Sequence, residues 1–339
     1  MTDLAEPQAS PARTSTPAPT DADFEAYRVE LTGYAYRMLG SAFEAEDAVQ
    51  ETFVRAWRAL DRFEGRSSLR SWLYRIATNV CLDMLGSRER RARPMDLGPA
   101  LTADHPLGAP LMESMWVEPA PDARILPTDG DPAEISALRE SVRLAFVAAL
   151  QHLPPRQRAV LILREVLGFS AREVAEALET TVASVNSALQ RARETVEERL
   201  PEESQQATLR SLGDDRVRTV VEAYVEAWER GDIDALRALL TADAVFSMPP
   251  WSSWWRGRET LARFANDAVG VCSEALSVPT HANGQPAIAY YSLDAESGRY
   301  TATAIDVLTL EGPRIKEITA FVGDRAFPYF GLPREYGAR

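Results

Sequence analysis

Eight prolines fall between residues 94 and 132, at 94, 99, 106, 110, 119, 121, 127 and 132. Proline lacks the backbone N–H and blocks the preceding turn, so no helix of useful length survives that spacing. The stretch therefore divides the chain. Before it, Val49, Thr52/Phe53, Ala56/Trp57 and Leu60 recur at helical spacing, and a second apolar stripe runs through Leu69, Trp72/Leu73, Ile76, Val80, Leu82 and Leu85. After it, Asp131-Pro132 is a cap-then-proline helix start, and Leu144, Val147/Ala148 and Leu150 give an apolar face. From residue 214 the character changes. Helical patterns at Val217–Arg230 and Ile233–Leu240 precede strand-like runs at Ala244–Met248, Ala287–Ser292, Tyr300–Leu310 and Arg314–Val322. Helices followed by strands indicate an α+β unit. The expected order is a disordered tail (1–20), a helical domain (21–95), an acidic proline-rich linker (96–132), a second helical domain (133–203), a short linker (204–213), an α+β domain (214–331) and a tail (332–339).

Charge is distributed unevenly. The whole chain has 37 basic and 50 acidic residues, net −13, which taken alone argues against non-specific nucleic-acid binding. Residues 62–93, however, hold eight arginines against three acids, whereas 94–140 hold two against nine. The first 20 residues lack an apolar core, so no secretory signal is expected, and no apolar run is long enough for a membrane helix. Cys81 and Cys272 lie too far apart in sequence to suggest a disulfide framework or a thiolate zinc site. No cofactor and no membrane partner is expected, and the expected compartment is the cytoplasm.

Three segments carry candidate chemistry. In the first, Ser170 with Glu173 three residues later is a capping box opening a helix with Val174 and Leu178 on one face. A turn at Glu179–Thr181 follows, then a helix expected to place Val182, Val185 and Leu189 inward. This is helix-turn-helix spacing, whose second helix can enter a DNA major groove. Ser184, Asn186, Ser187, Gln190, Arg191 and Arg193 are the candidate DNA-facing residues. The bland alternative is a helical hairpin with solvated polar faces. In the second, residues 63–83 interleave Arg66, Ser67, Arg70, Arg75 and Asn79 with aromatic rings at a helix start. That combination suits unstacked single-stranded DNA, because arginine follows phosphate, rings stack and amides read a base. Trp72, Leu73 and Ile76 read as core. In the third, Glu44–Trp57 has an exposed face with Asp47, Gln50 and Glu51, which could dock a basic partner or simply be solvated.

Taken in order, EAEDAVQETFVRAW, FEGRSSLRSWLYRIATNVCLD and LPPRQRAVLILREVLGFSAREVAEAL with VNSALQRAR resemble the extracytoplasmic-function sigma factors of the sigma-70 family. The resemblance implies that Asp47, Gln50 and Glu51 face the clamp of core RNA polymerase. It implies that Phe63–Ser68 with Asn79 captures an unstacked base of the promoter minus-ten element, and that Ser184–Arg191 enter the minus-thirty-five groove. The family often has a basic residue where Asn186 and Ala188 stand. The C-terminal part, with ANGQPAIAYY at its centre, resembles the SnoaL-like, nuclear-transport-factor-like cone, and Trp116–Asp122 resembles the proline-rich tract of the sigma factors that carry such an extension. The implied fold is two all-α domains, the second with the helix-turn-helix, and an α+β cone with a curved antiparallel sheet. The implied partners are core polymerase and promoter DNA, with the extension modulating activity in cis and no catalytic residues. A cone cavity could also take a small ligand, and Trp251, Trp254, Trp255, His281, Tyr290 and Asp306 (with Tyr291) are the candidate pocket residues. The alternative reading is a cone-fold small-molecule enzyme or ligand sensor fused to a DNA-binding module.

Overall fold

The computed structural model describes residues 19–63, 65, 67–86, 90–200, 204–272 and 275–337, with side chains described outside 267–272. The first helical domain consists of α1 (Asp21–Glu25), α2 (Arg28–Leu39), α3 (Ala42–Arg58) and α4 (Leu69–Leu85). Their starts follow from sequence: the Ser41 and Ser68 hydroxyls accept the Glu44 and Ser71 amides at 3.2 and 3.1 Å, satisfying N–H groups that a helix leaves orphaned. Phe24, Tyr34, Phe53 and Tyr74 are buried between these helices. Of the expected tail only Pro19 and Thr20 are described, and Thr20 hydrogen-bonds Asp23 at the start of α1. The expected disorder of residues 1–18 lies outside the described residues.

Beyond the prolines come α5 (Asp122–Ile125), α6 (Pro132–Glu140), α7 (Leu144–Gln151), α8 (Pro155–Leu161), α9 (Ala171–Ala177) and α10 (Val182–Glu197). A π-turn at Ile162–Val166 and Gly168 at φ +71° separate α8 from α9. The single helix suggested from Pro132 onward is two. It breaks at Ser141, whose hydroxyl accepts two bonds, at 2.9 and 2.8 Å, from the buried guanidinium of Arg37 in α2.

The remainder comprises α11 (Gln205–Leu212), α12 (Asp214–Glu229), α13 (Ile233–Leu239), β1 (Leu240–Ser247), β2 (Trp254–Arg256), α14 (Arg258–Cys272), β3 (Ala275–Ala282), β4 (Gln285–Asp294), β5 (Arg299–Glu311), β6 (Arg314–Val322) and β7 (Glu335–Tyr336). The sheet order is β2-β1-β6-β5-β4-β3, with β7 against β5. The sheet is mixed rather than purely antiparallel, because β1 runs parallel to β6 while the other pairs are antiparallel. The segment expected as a second linker is α11, with Gln205 and Gln206 buried, and the last residues supply β7.

Alternation along the strands sorts their side chains onto two cores. Ile288, Leu308 and Ile318 pack inside the cone with Tyr224 and Trp255. Ala287, Ala289, Tyr291, Ile305 and Val307 face the other way, into a core shared with the helical domains. Both sheet faces are thus buried. The proline-rich segment is not a free tether. Trp116, Val117, Ala120, Ile125 and Leu126 are buried in or against that shared assembly, and Glu118 N donates to Gly40 O at 2.9 Å.

Candidate nucleic-acid interface

Helix α4 gathers most of the arginine-rich face. Ser67, Arg75 and Asn79 are exposed, and Arg70 is half-buried; Arg66 lies outside the described residues. Arg70 donates from Nε to Glu30 of α2 at 2.7 Å. Its guanidinium lies 5.2 Å from the Tyr74 ring and 4.6 Å from that of Phe169. Phe169 precedes α9, so α4 meets the helix-turn-helix here. Ser71 Oγ donates to Glu173 at 3.2 Å, and Arg75 pairs with Glu179 at 3.1 Å. Hydrogen bonds from Ser170 hold the Glu173 carboxyl below its usual range, keeping it an anion. A cavity of about 360 Å³ lined by Ser67, Ser71, Trp72, Arg75, Glu173 and Glu176 remains between the two helices. Acidic α9 thus stands where the basic face would otherwise open to a polyanion.

The second helix of the motif is free to reach outward. Thr181 caps α10 by accepting the Ser184 amide at 3.1 Å, and the capping box at Ser170 and Glu173 is present. Ser184, Asn186, Ser187, Gln190, Arg191 and Arg193 are all exposed. Gln190 donates to Glu194 at 3.3 Å, and Arg193 pairs with Glu165 at 2.6 Å. Val185 and Leu189 are buried as expected; Val182, expected inward, is 44% exposed at the helix start, beyond the reach of the core.

On α3, Asp47 and Gln50 are exposed, and the half-buried Glu51 pairs with Arg55 at 2.7 Å. Val54 and Trp57, each 42% exposed, continue this face at helical spacing. Trp57 lies at the edge of the apolar stripe: its ring meets Phe24 edge-on at 5.0 Å while its other side stays in solvent. The neighbouring end of the face is covered. The Phe43 ring lies 4.2 Å from that of Tyr329 in the C-terminal domain, and Glu46 pairs with Arg124.

The cone's candidate residues divide. Tyr290 and Asp306 line its interior cavity; Trp251, Trp254, Trp255 and His281 do not. His281 is exposed at the end of β3, and Trp251 sits half-buried in the turn before β2. Trp254 and Trp255 instead donate their indole N–H groups to the proline-rich segment, at Gly98 O (2.8 Å) and Thr102 O (3.1 Å). Tyr291 points to the opposite sheet face, against Phe327. This corrects the expectation that the tryptophan cluster forms a pocket: indoles carrying one donor each are satisfied by the strap of chain crossing them.

Sequence reasoning did not single out Asn283, at the β3–β4 turn. It adopts φ +59°, which Asn tolerates better than most residues. Its Nδ2 donates to Tyr36 Oη of α2 at 2.6 Å and to Val142 O before α7 at 2.8 Å. Its Oδ1 accepts the Ala120 amide at 3.0 Å, and its own amide returns a bond to Ala120 O at 3.0 Å. The adjacent Gly284 amide donates to Asp122 at 2.7 Å. A Cβ on Gly284 would stand 2.8 Å from Arg139 O. One buried amide therefore ties the cone to both helical domains and to the segment between them. The Asn-Gly turn signal was visible in the sequence; its distant targets were not.

Comparison with known proteins agrees with this architecture. Residues 24–91 match sigma-70 region 2, residues 143–196 match sigma-70 region 4, and residues 221–318 match the SnoaL-like domain. The chain is 43% identical over 321 residues to the ECF RNA polymerase sigma factor SigG of Mycobacterium tuberculosis H37Rv, covering 91% of this chain and 82% of the relative. It is 31% identical over 178 residues to the RNA polymerase sigma-H factor of Pseudomonas aeruginosa, covering 51% of this chain and 82% of the relative. The crystal structure of the M. tuberculosis extracytoplasmic-function sigma factor SigJ shares its fold with a TM-score of 0.57, covering 92% of this chain and 99% of the other at 23% identity. With similarity of this extent spanning both helical regions and the cone, the chain belongs to the family of extracytoplasmic-function RNA polymerase sigma factors.

Proposed function

We propose that the chain directs core RNA polymerase to specific promoters and that its cone holds the DNA-reading face of region 2 closed until polymerase and promoter displace it. In this reading the exposed stripe Asp47–Gln50–Val54–Trp57 of α3 docks polymerase. Ser67, Arg70, Arg75 and Asn79 hold an unstacked base and its phosphates, and α10 occupies the upstream major groove. Binding energy for exposed bases offsets strand separation; no covalent step is assigned to any residue.

The observation that carries the closed state is the seating of α9 on α4. Ser71 and Arg75 are engaged by Glu173 and Glu179, groups that carry the charge of the phosphates they exclude. The Asn283 bonds to Tyr36, Ala120 and Val142 then bind both helical domains to the cone while it lasts. Core-dependent run-off transcription tests this. Asn283→Gly keeps the φ-permissive backbone and removes the side-chain bonds, so transcript from a cognate promoter should rise several-fold over the parent at limiting core. Truncation after Arg199 should also change output. Equal output from all three proteins across core concentrations would reject control by the cone; no core-dependent transcript from any of them would reject initiation itself.

A further inference from the structure

The cone holds a partly open cavity of about 410 Å³, within the range of small-molecule sites. Its walls are apolar and largely aromatic: Trp228 of α12, Phe246 and Met248 at the end of β1, Phe264 of α14 and Ala320 of β6. Leu107 of the proline-rich segment also lines it. Asp306 of β5, 5% exposed, lines this space. Its Oδ2 accepts the Tyr224 hydroxyl of α12 at 2.8 Å. Its neighbours across the sheet are Ile288 on β4 and Ala320 on β6, both uncharged. The titratable group that meets it is the Tyr224 phenol, and the Tyr290 phenol lines the same cavity. Among the described residues lining the cavity none is basic.

Burial holds this acid neutral while the cavity is empty, and because no basic side chain among the described residues lines the cavity, a cation brought by a ligand would be the charge that complements its ionised form. Trp228, Phe246, Phe264 and Tyr290 line the same space, and aromatic rings attract positive charge through their faces. We infer that the cavity is a binding site for a small apolar molecule carrying one basic amine, the ammonium paired with Asp306 and the apolar body against the aromatic walls. This site does not depend on the closed state proposed above, and its test does not involve transcription.

Protonation separates this ligand class from others. Burial pushes the Asp306 carboxyl up to about 7, with the Tyr224 hydrogen bond pulling the other way. An alkylamine stays protonated well above that pH, like lysine at roughly 10. Raising pH from 6 to 8 therefore supplies the anion without removing the cation, and amine affinity should rise about tenfold. A neutral alcohol of the same shape gains nothing. A ligand presenting only an acceptor weakens, because it needs the protonated acid.

Isothermal titration of the full chain with 2-(1-naphthyl)ethylamine and 2-(1-naphthyl)ethanol tests this. Expected are one-to-one binding, an amine preference of tenfold or more at pH 8 that shrinks towards pH 6, and equal affinities in Asp306→Asn. The wild-type pH profile decides even should that variant not fold. Equal binding of the two probes at pH 8, a flat pH profile for the amine, or no binding of either would overturn the inference.

Discussion

Asp306 lies between Ile288 and Ala320 in the sheet, with one hydroxyl as its hydrogen-bond partner. Its acid is neutral in the folded chain up to about pH 7, against a reference value of 3.8. Between those values the folded state holds a proton that the unfolded state has lost. Stability from this group is therefore fully present below pH 4, falls as pH rises towards 7 and is level above it. The shift corresponds to about 4 kcal/mol. Asparagine has no such titration, so the unfolding free energy of wild type minus that of Asp306→Asn should drop by up to about 4 kcal/mol between pH 4 and pH 8. Urea denaturation at several pH values measures the difference, and a pH-independent gap would reject the buried acid. Asn283 shows the complementary case, a buried polar group whose bonding capacity is met by three distant segments, so its burial carries little penalty.

At the scale of elements, the contact of α9 with α4 combines charge and aromatic packing, and the two differ in weight. The Arg75–Glu179 pair is half-exposed on one side and three-quarters exposed on the other, which limits it to about 1 kcal/mol or less. Phe169 is buried, meets Tyr74 edge-on at 5.0 Å and carries the Arg70 guanidinium. Phe169→Ala should lower unfolding free energy by about 3 kcal/mol or more, whereas Glu179→Gln should change it by less than about 1. Equal effects of the two substitutions in chemical denaturation would show that charge, not packing, seats the helix. Elements with local signatures were legible in sequence: β6 has the bounds of its strand-like run, and the Ser170 capping box opens α9. Elements without such punctuation were not. β3 contains Pro279 and lies at the sheet edge, where proline's missing donor is tolerated. α14 lies between the strand-like runs ending at Met248 and starting at Ala287, where the sequence pattern assigns no element. Periodicity identifies which face of a helix is apolar, but not where its neighbour ends, so Val182, expected inward, stands exposed at the helix start. The candidate site was legible as residue types on α3, α4 and α10. Its closure was not, because Arg75 and Glu179 stand 104 positions apart and Asn283 and Tyr36 stand 247 apart.

Over the whole molecule, the helical core extends through the proline-rich strap onto one face of the cone's sheet, so the arrangement of α4, α9 and α10 depends on all parts of the chain. The electrostatics follow that arrangement. The first 199 residues carry 23 basic and 30 acidic side chains, and the remainder is also net acidic. Of the arginines suited to phosphate, Arg70 is paired with Glu30, Arg75 with Glu179 and Arg193 with Glu165. Duplex affinity arises largely from releasing counterions as phosphates are neutralised, with a slope of log affinity against log salt near −0.9 per phosphate. A chain with most of these cations already engaged neutralises few, on the order of two, so its slope should be no steeper than about −2. The isolated chain should accordingly bind promoter duplex no more tightly than roughly micromolar at physiological salt, and specific retention should appear on adding core polymerase. Fluorescence anisotropy of labelled promoter DNA across a salt series, with and without core, measures both quantities. A slope near −6 for the isolated chain, or nanomolar sequence-specific binding without polymerase, would mean that its basic face is open in solution and would overturn the closed arrangement.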